Sequence, residues 1–214
     1  SSWIGAIWLS GTGAAVIATA NSTKIHLSSG ATIPFASGKL LHEPRREGIL
    51  PVDFNYDFKT DLVLAGGGGL RLFRQDSPSA FTDVTNETKL PATTLNNFYF
   101  KVWSADIEAD GDLDLVLGAA EGGPQVLRNN GDGTFSEMQP FSGVEEISAF
   151  AWGDLDADGD VDAAIVDRDG ALHVFSNERQ GQFSKRSVPS SSDRIDALNV
   201  MDVDNDGVFD LLVA

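Results

Sequence analysis

The chain contains no cysteine, so neither a disulfide framework nor thiol chemistry is open to it. Histidine is scarce, with three in 214 residues, and basic residues are outnumbered, with 15 Lys and Arg against 32 Asp and Glu. The formal charge is −17. No basic stripe exists to meet phosphates, which argues against a nucleic-acid partner. No run is long and apolar enough to cross a membrane, so no membrane insertion is expected. The stretch from Ile4 to Ala20 is small and apolar and ends Ala18-Thr19-Ala20, in the manner of a secretory leader. However, no initiator Met opens it, no positive charge precedes Lys24, and Ser10-Gly11-Thr12-Gly13 interrupts it. It reads as two strands and a turn.

What the chain does have is a repeated ladder of oxygen ligands. The rungs are Asp53, Asn55, Asp57 and Asp61; Asp106, Glu108, Asp110 and Asp114; Asp154, Asp156, Asp158 and Asp162; and Asp202, Asp204, Asp206 and Asp210. The first rungs are 53, 48 and 48 residues apart, a period that signals a repeat architecture. The four loops hold 17 of the 32 acids, so the 15 that remain match the 15 basic residues and the whole net charge sits in the loops. Such acidity is a metal-binding signature, not a sign of a basic partner.

Within a loop, side chains at positions 1, 3, 5 and 9 can converge on one ion, and position 7 can add its backbone carbonyl. Position 7 is Lys59, Asp112, Asp160 or Val208. Position 6 is Gly111, Gly159 or Gly207 in the last three loops, which permits a sharp turn. Packed carboxylates repel one another unless a cation sits among them. Oxygen-only ligation selects calcium, magnesium or manganese, and calcium suits it best because its coordination is flexible. The first loop departs from the pattern, with Asn55 for an acid, Phe58 at the glycine position and Lys59 at position 7. An EF-hand loop shares the opening but needs a bidentate acid at position 12 and flanking helices. Position 12 here is Leu64, Leu117, Ile165 or Val213, all apolar and inside short branched runs that read as buried strands. The blandest alternative is an acidic solvated turn without an ion, which four in-phase copies disfavour.

Aligning the chain on the loops gives four strands per unit of about 48 residues, the dimensions of a propeller blade. One strand precedes each loop and one follows it, then a turn, a third strand, a second turn and a fourth strand opening on Phe81, Phe135 or Phe183. The fold class expected is all-β, a β-propeller of four-stranded antiparallel blades spanning 1–40, 41–90, 91–142, 143–190 and an incomplete 191–214. The first unit carries no acid around Trp8 to Gly13. Four and a half blades would leave open edges, so the remaining blades are expected from a longer chain or a second chain.

Together these features resemble the FG-GAP/VCBS repeats of integrin-α-like propellers. The residues that carry the likeness are the ladders beginning at Asp106, Asp154 and Asp202, and the hairpin Leu127-Arg-Asn-Asn-Gly-Asp-Gly-Thr-Phe135. The chain is also similar to the ASPIC/UnbV and cartilage acidic protein branch. The resemblance implies seven-bladed propellers, calcium between the first and second strands of a blade at the ladder positions, and none in the first blade. It further implies a calcium-stabilised, extracellular, cell-surface or periplasmic module that recognises a protein or glycan, as in adhesion. Millimolar calcium outside cells suits several weak sites. The competing reading is a propeller domain of a carbohydrate-active enzyme, of polysaccharide lyase or dehydratase type, or a lectin. Catalysis would need an acid and a base on the face opposite the ladders. His26 and His173 fall at equivalent third-strand positions, which leaves only His42, near Glu43, Arg45 and Arg46. A lone loop histidine is more often solvated than catalytic, so an enzyme is the less favoured reading. Trp103 and Trp152 read as packing between blades.

Overall fold

The computed structural model describes residues 3–9, 14–21, 23–35, 46–188 and 193–214. The first sheet joins β1 (Trp3–Ile7), β2 (Val16–Ala20), β3 (Lys24–Leu27) and β4 (Thr32–Pro34). The second joins β5 (Ile49–Val52), β6 (Asp61–Gly66), β7 (Gly69–Ser77) and β8 (Ala80–Asp83). The third joins β9 (Tyr99–Ala105), β10 (Asp114–Ala119), β11 (Gln125–Asn129) and β12 (Phe135–Met138). The fourth joins β13 (Ile147–Gly153), β14 (Asp162–Asp167), β15 (Leu172–Asn177) and β16 (Phe183–Arg186). A fifth sheet of two strands joins β17 (Leu198–Met201) and β18 (Asp210–Val213). Within each sheet every strand pairs antiparallel with the next in sequence, so each sheet is a simple meander. The fold is an all-β propeller of four-stranded antiparallel blades.

The second strands of the three middle blades explain the stacking. β6 and β10 are buried at every residue and β14 at all but its last. A strand covered on both faces reads as a continuous apolar run and not as an alternation. Neighbouring residues then serve different cores. Leu62 and Leu64 pack with Ile25, Leu27 and Ile33 of the first sheet, while Val63 and Ala65 pack with Tyr99, Leu115 and Leu117 of the third. Val116 turns the other way, toward Ile147, Ile165 and Phe175 of the fourth sheet. Each buried leucine, isoleucine, valine or phenylalanine among them contributes roughly 1.5–3 kcal/mol on leaving water. A one-residue slip of β6 or β10 would exchange the two cores, so the register is tightly specified.

Trp103 packs across blades against Phe150, with ring centroids 6.0 Å apart, whereas Trp152 stays partly exposed. Phe135 is buried, and Phe81 and Phe183 are partly buried against the same cores. His26 and His173 occupy the third strands β3 and β15, where His26 meets Thr32 and His173 meets Asp167. His42 lies outside the described residues. One short helix, α1 (Ala92–Leu95), is not evident from the sequence pattern. It closes over the turn after β6, where Gly69 has φ +104 and an added Cβ would stand 1.9 Å from the Leu95 carbonyl oxygen. That turn is therefore occupied by the protein's own backbone.

Candidate metal centres

Each ladder lies between the first and second strands of its blade and folds by one set of hydrogen bonds. The position-1 carboxylate accepts the backbone N–H groups of positions 5 and 6. Asp53 accepts from Asp57 and Phe58 at 3.3 and 2.9 Å, and Asp106 from Asp110 and Gly111 at 3.1 Å each. Asp154 accepts from Asp158 and Gly159 at 3.2 and 3.1 Å, and Asp202 from Asp206 and Gly207 at 3.2 and 3.0 Å. The position-5 carboxylates of Asp57, Asp110, Asp158 and Asp206 accept from position 7, the N–H of Lys59, Asp112, Asp160 and Val208, at 2.8–3.0 Å. Hydrogen bonds to ionised acceptors are stronger than neutral ones, so the acids shape the loop as well as charge it. The chain turns twice. Positions 4 and 6 both have positive φ: Tyr56, Ala109, Ala157 and Asn205 at 56–61°, then Phe58 at 63° and Gly111, Gly159 and Gly207 at 89–93°.

Position 9 opens the second strand and ties the loop to the sheet. Asp61, Asp114, Asp162 and Asp210 accept from the position-2 N–H of Phe54, Ile107, Leu155 and Val203 at 3.3, 2.8, 2.9 and 3.1 Å. In three blades the other oxygen accepts a third-strand N–H, from Gln75, Asn129 or Asn177, at 2.7, 2.8 and 3.0 Å. Asp61, Asp114 and Asp162 are buried, and Asp210 is exposed. Burial pushes the Asp61 carboxyl up to about 6 and Asp114 up to about 7, against the pull of their backbone donors, and nearby loop carboxylates push the same way. Asp162 is raised for the same reason. Closely packed, partly dehydrated carboxylates are the stress that a cation relieves.

The loops differ in how many acids actually meet. Carboxylate oxygens of Asp154, Asp156 and Asp162 lie within 4.8 Å of one another, and so do those of Asp202, Asp204 and Asp210. In the second loop Glu108 turns to an ion pair with Arg128, whose guanidinium also lies 3.9 Å from Asp110. In the first, Lys59 sits 2.8 Å from Asp57, and Asn55 accepts from the Asp57 N–H at 3.1 Å. The Asp160 carboxylate points to Arg179 at 2.8 Å, so position 7 has only its carbonyl to offer an ion. The Asp112 carboxylate likewise leaves the loop, toward Gly131. Three converging carboxylates with an all-oxygen donor set fit a hard divalent cation of the calcium kind.

Some participants escape a reading of the ladders alone. Asn129 is fully buried, and its side-chain amide donates to the Phe54 carbonyl in the preceding loop at 2.9 Å and to the Leu113 carbonyl in its own at 3.4 Å. Asn177 repeats this with Ile107 and Val161 at 3.2 and 3.1 Å. Their signal is phase: each stands 23 residues after the first rung of its ladder, and Gln75 stands 22 after Asp53. Tyr56 is a second case. Its hydroxyl donates to the Gly111 carbonyl and accepts from the Leu113 N–H, both at 2.5 Å. Burial pushes that hydroxyl up to about 12, aided by the charges of Asp112 and Asp106 and opposed by the Leu113 N–H, so it stays neutral and able to donate.

Comparison with known proteins agrees with this architecture. The FG-GAP-like repeat model matches three overlapping stretches, residues 53–117, 106–165 and 154–213. No curated protein matches the chain. Among solved structures, an Agrocybe aegerita lectin that recognises non-reducing terminal N-acetylglucosamine is 19% identical, with a TM-score of 0.64 over 98% of this chain and 60% of that one. The crystal structure of BBS1N in complex with ARL6DN, soaked with lead, is 14% identical, with a TM-score of 0.52 over 94% of this chain and 57% of that one. The chain thus spans about three fifths of the length of the structures it resembles.

Proposed function

The chain belongs to the FG-GAP-like repeat family, and from that premise we propose that it is a calcium-stabilised binding module that recognises a glycan, or a protein, outside the cell. The observation that carries the calcium half is the convergence of Asp154, Asp156 and Asp162, and of Asp202, Asp204 and Asp210. Bound calcium would supply positive charge among the carboxylates of a loop that runs from the first strand of a blade to its second. The residues do the rest. Positions 1, 5 and 9 offer carboxylates already oriented by backbone donors, position 3 offers Glu108, Asp156 or Asp204 and the Asn55 amide oxygen in the first loop, and position 7 offers a carbonyl. The second and first loops fit less directly, because Glu108 must leave Arg128 and Lys59 must leave Asp57. Saturation at 100 times Kd stabilises by about 2.7 kcal/mol per site.

The recognition half draws its support from the fold, which is shared with a lectin. A hollow of about 340 Å³ opens where the first strands of four blades converge, lined by Leu50, Trp103, Phe150, Trp152, Ser104 and Asn199 among others. Partly exposed indole beside hydroxyl and amide groups is the surface on which a sugar ring can stack and be hydrogen-bonded. The test is retention on immobilised glycans, including ones ending in N-acetylglucosamine, in millimolar calcium and in EDTA. Calcium-dependent retention that Trp152→Ala reduces about tenfold supports the reading. Equal retention by the variant removes the hollow from the account, and no retention of any glycan in calcium removes the glycan reading.

A further inference from the structure

Tyr56 occupies position 4 of the first loop, yet its hydroxyl serves the second. It donates to the Gly111 carbonyl and accepts from the Leu113 N–H. Those two residues flank Asp112, whose carbonyl would be the backbone ligand of the second loop, so one hydroxyl holds both the peptide unit that carries that carbonyl and the one before it. The link is particular to this pair of loops. Position 4 is Ala109 in the second loop, Ala157 in the third and Asn205 in the fourth, and among the described residues none of these bonds a neighbouring loop. The Asn129 amide adds a second bond between the same two loops, from Phe54 to Leu113.

The position of the hydroxyl depends in turn on the first loop. Tyr56 has φ 60, a conformation that disfavours a residue with a bulky side chain. The N–H groups that follow it, from Asp57 and Phe58, are held by Asp53. Whatever orders Asp53 therefore also aims the Tyr56 ring at the second loop. We propose that Tyr56 is a positioning residue that couples the two loops, so that occupancy of the first by calcium strengthens binding at the second. The inference rests on the calcium reading above. Coupling between binding sites is reciprocal, so the second loop must strengthen the first by the same factor. The first loop, with its asparagine, phenylalanine and lysine, then acts as an aid to its neighbour more than as a strong site of its own.

The test is a calcium titration followed by NMR at the amides of Phe58, Gly111, Gly159 and Gly207, one reporter in each loop. Tyr56→Phe keeps the ring and removes the hydroxyl. It is expected to raise the calcium midpoint at Gly111 roughly threefold to tenfold, the worth of one or two hydrogen bonds, and to leave Gly159 and Gly207 unmoved. A general structural defect would shift all four. Asp53→Asn weakens the first loop with the hydroxyl intact; it is expected to raise the Gly111 midpoint in the native background and to add nothing once Tyr56→Phe is present. An unchanged Gly111 midpoint in both single variants overturns the coupling while leaving calcium binding in place. Additive shifts in the double variant overturn it too. Amides that ignore calcium in the native chain would remove the calcium reading itself, and the coupling with it.

Discussion

The third and fourth loops, 154–162 and 202–210, carry nearly the same ladder and bring the same three positions together, yet they are closed differently. Asp162 is buried beneath the third strand and accepts from both Leu155 and Asn177. Asp210 is exposed and accepts from Val203, with no third strand beside β18 among the described residues. Loop shape is thus a local property, written in nine residues and held by their own backbone donors. The electrostatic stress of the site is not local. It comes from the third strand and the neighbouring blade, which dehydrate the closing carboxylate. A cation should therefore matter most where the blades are stacked.

The largest expected effect is in the pH dependence of the calcium-free protein. Asp114 and Asp61 are raised in the folded state, to about 7 and about 6. A raised acid binds more protons when folded, so its stabilising effect is present in full below about pH 4 and is lost as pH climbs through the folded value. Between pH 5 and 8 in EDTA the urea midpoint should fall, by an amount worth several kcal/mol at most. Asp114→Asn should flatten the trend, and calcium should oppose it, since the ion competes with protons for the same oxygens. A midpoint that rises with pH in EDTA would contradict the buried-stress account.

Removing the closing acid comes next. Asp162→Ala leaves the half-buried N–H of Leu155 and the buried N–H of Asn177 without an acceptor and should cost about 2–4 kcal/mol. In the chain of residues 1–214, where the Asp210 carboxylate is exposed and takes the Val203 N–H, Asp210→Ala should cost under about 1 kcal/mol. Equal losses in denaturant unfolding would erase the distinction between stacked and open loops.

The cross-blade asparagines sharpen the comparison further. Asn177→Ala strands the Ile107 and Val161 carbonyls and should cost about 1–3 kcal/mol, with increased hydrogen exchange in both loops it joins. Exchange confined to one loop would mean that the amide does not bridge them. The smallest effects concern backbone shape. Gly159→Ala places a Cβ at φ +93 and should destabilise by about 1 kcal/mol. Phe58→Gly relieves a largely exposed phenylalanine at φ 63 and should gain a similar amount, offset in part by the entropy of the unfolded chain. A shift of opposite sign at either site, read from thermal midpoints, would mean that position 6 is not under the strain its dihedral implies.

Much of this was legible in advance because the informative features repeat. The ladders fall in phase, the runs at Leu62, Leu115 and Ala163 are apolar throughout, and hairpins such as Asn129 to Phe135 are marked by turn residues. Blade order and the all-β class follow from that periodicity. What stayed hidden depends on contacts between blades. The sequence alone does not show that Asn129 and Asn177 reach into the preceding loop, because a polar residue ending a strand looks like any turn. It gives no hint that Tyr56 leaves its own loop, that Glu108 turns to Arg128, or that Ala109 and Ala157 adopt positive φ. Helix α1 is four residues long, too short for a periodic signal, and is set by its packing over Gly69.

The central claim is that the ladders hold calcium and that calcium holds the blades. Thermal unfolding in EDTA, in millimolar calcium and in millimolar magnesium tests it most directly. The account predicts a calcium-specific rise of roughly 10 °C or more, with two or more sites each adding a few kcal/mol. Magnesium, which demands a tighter octahedral shell, should do far less. A melting temperature that is the same in all three buffers would contradict the account, because the carboxylates would then be stabilised by their backbone donors and basic neighbours alone.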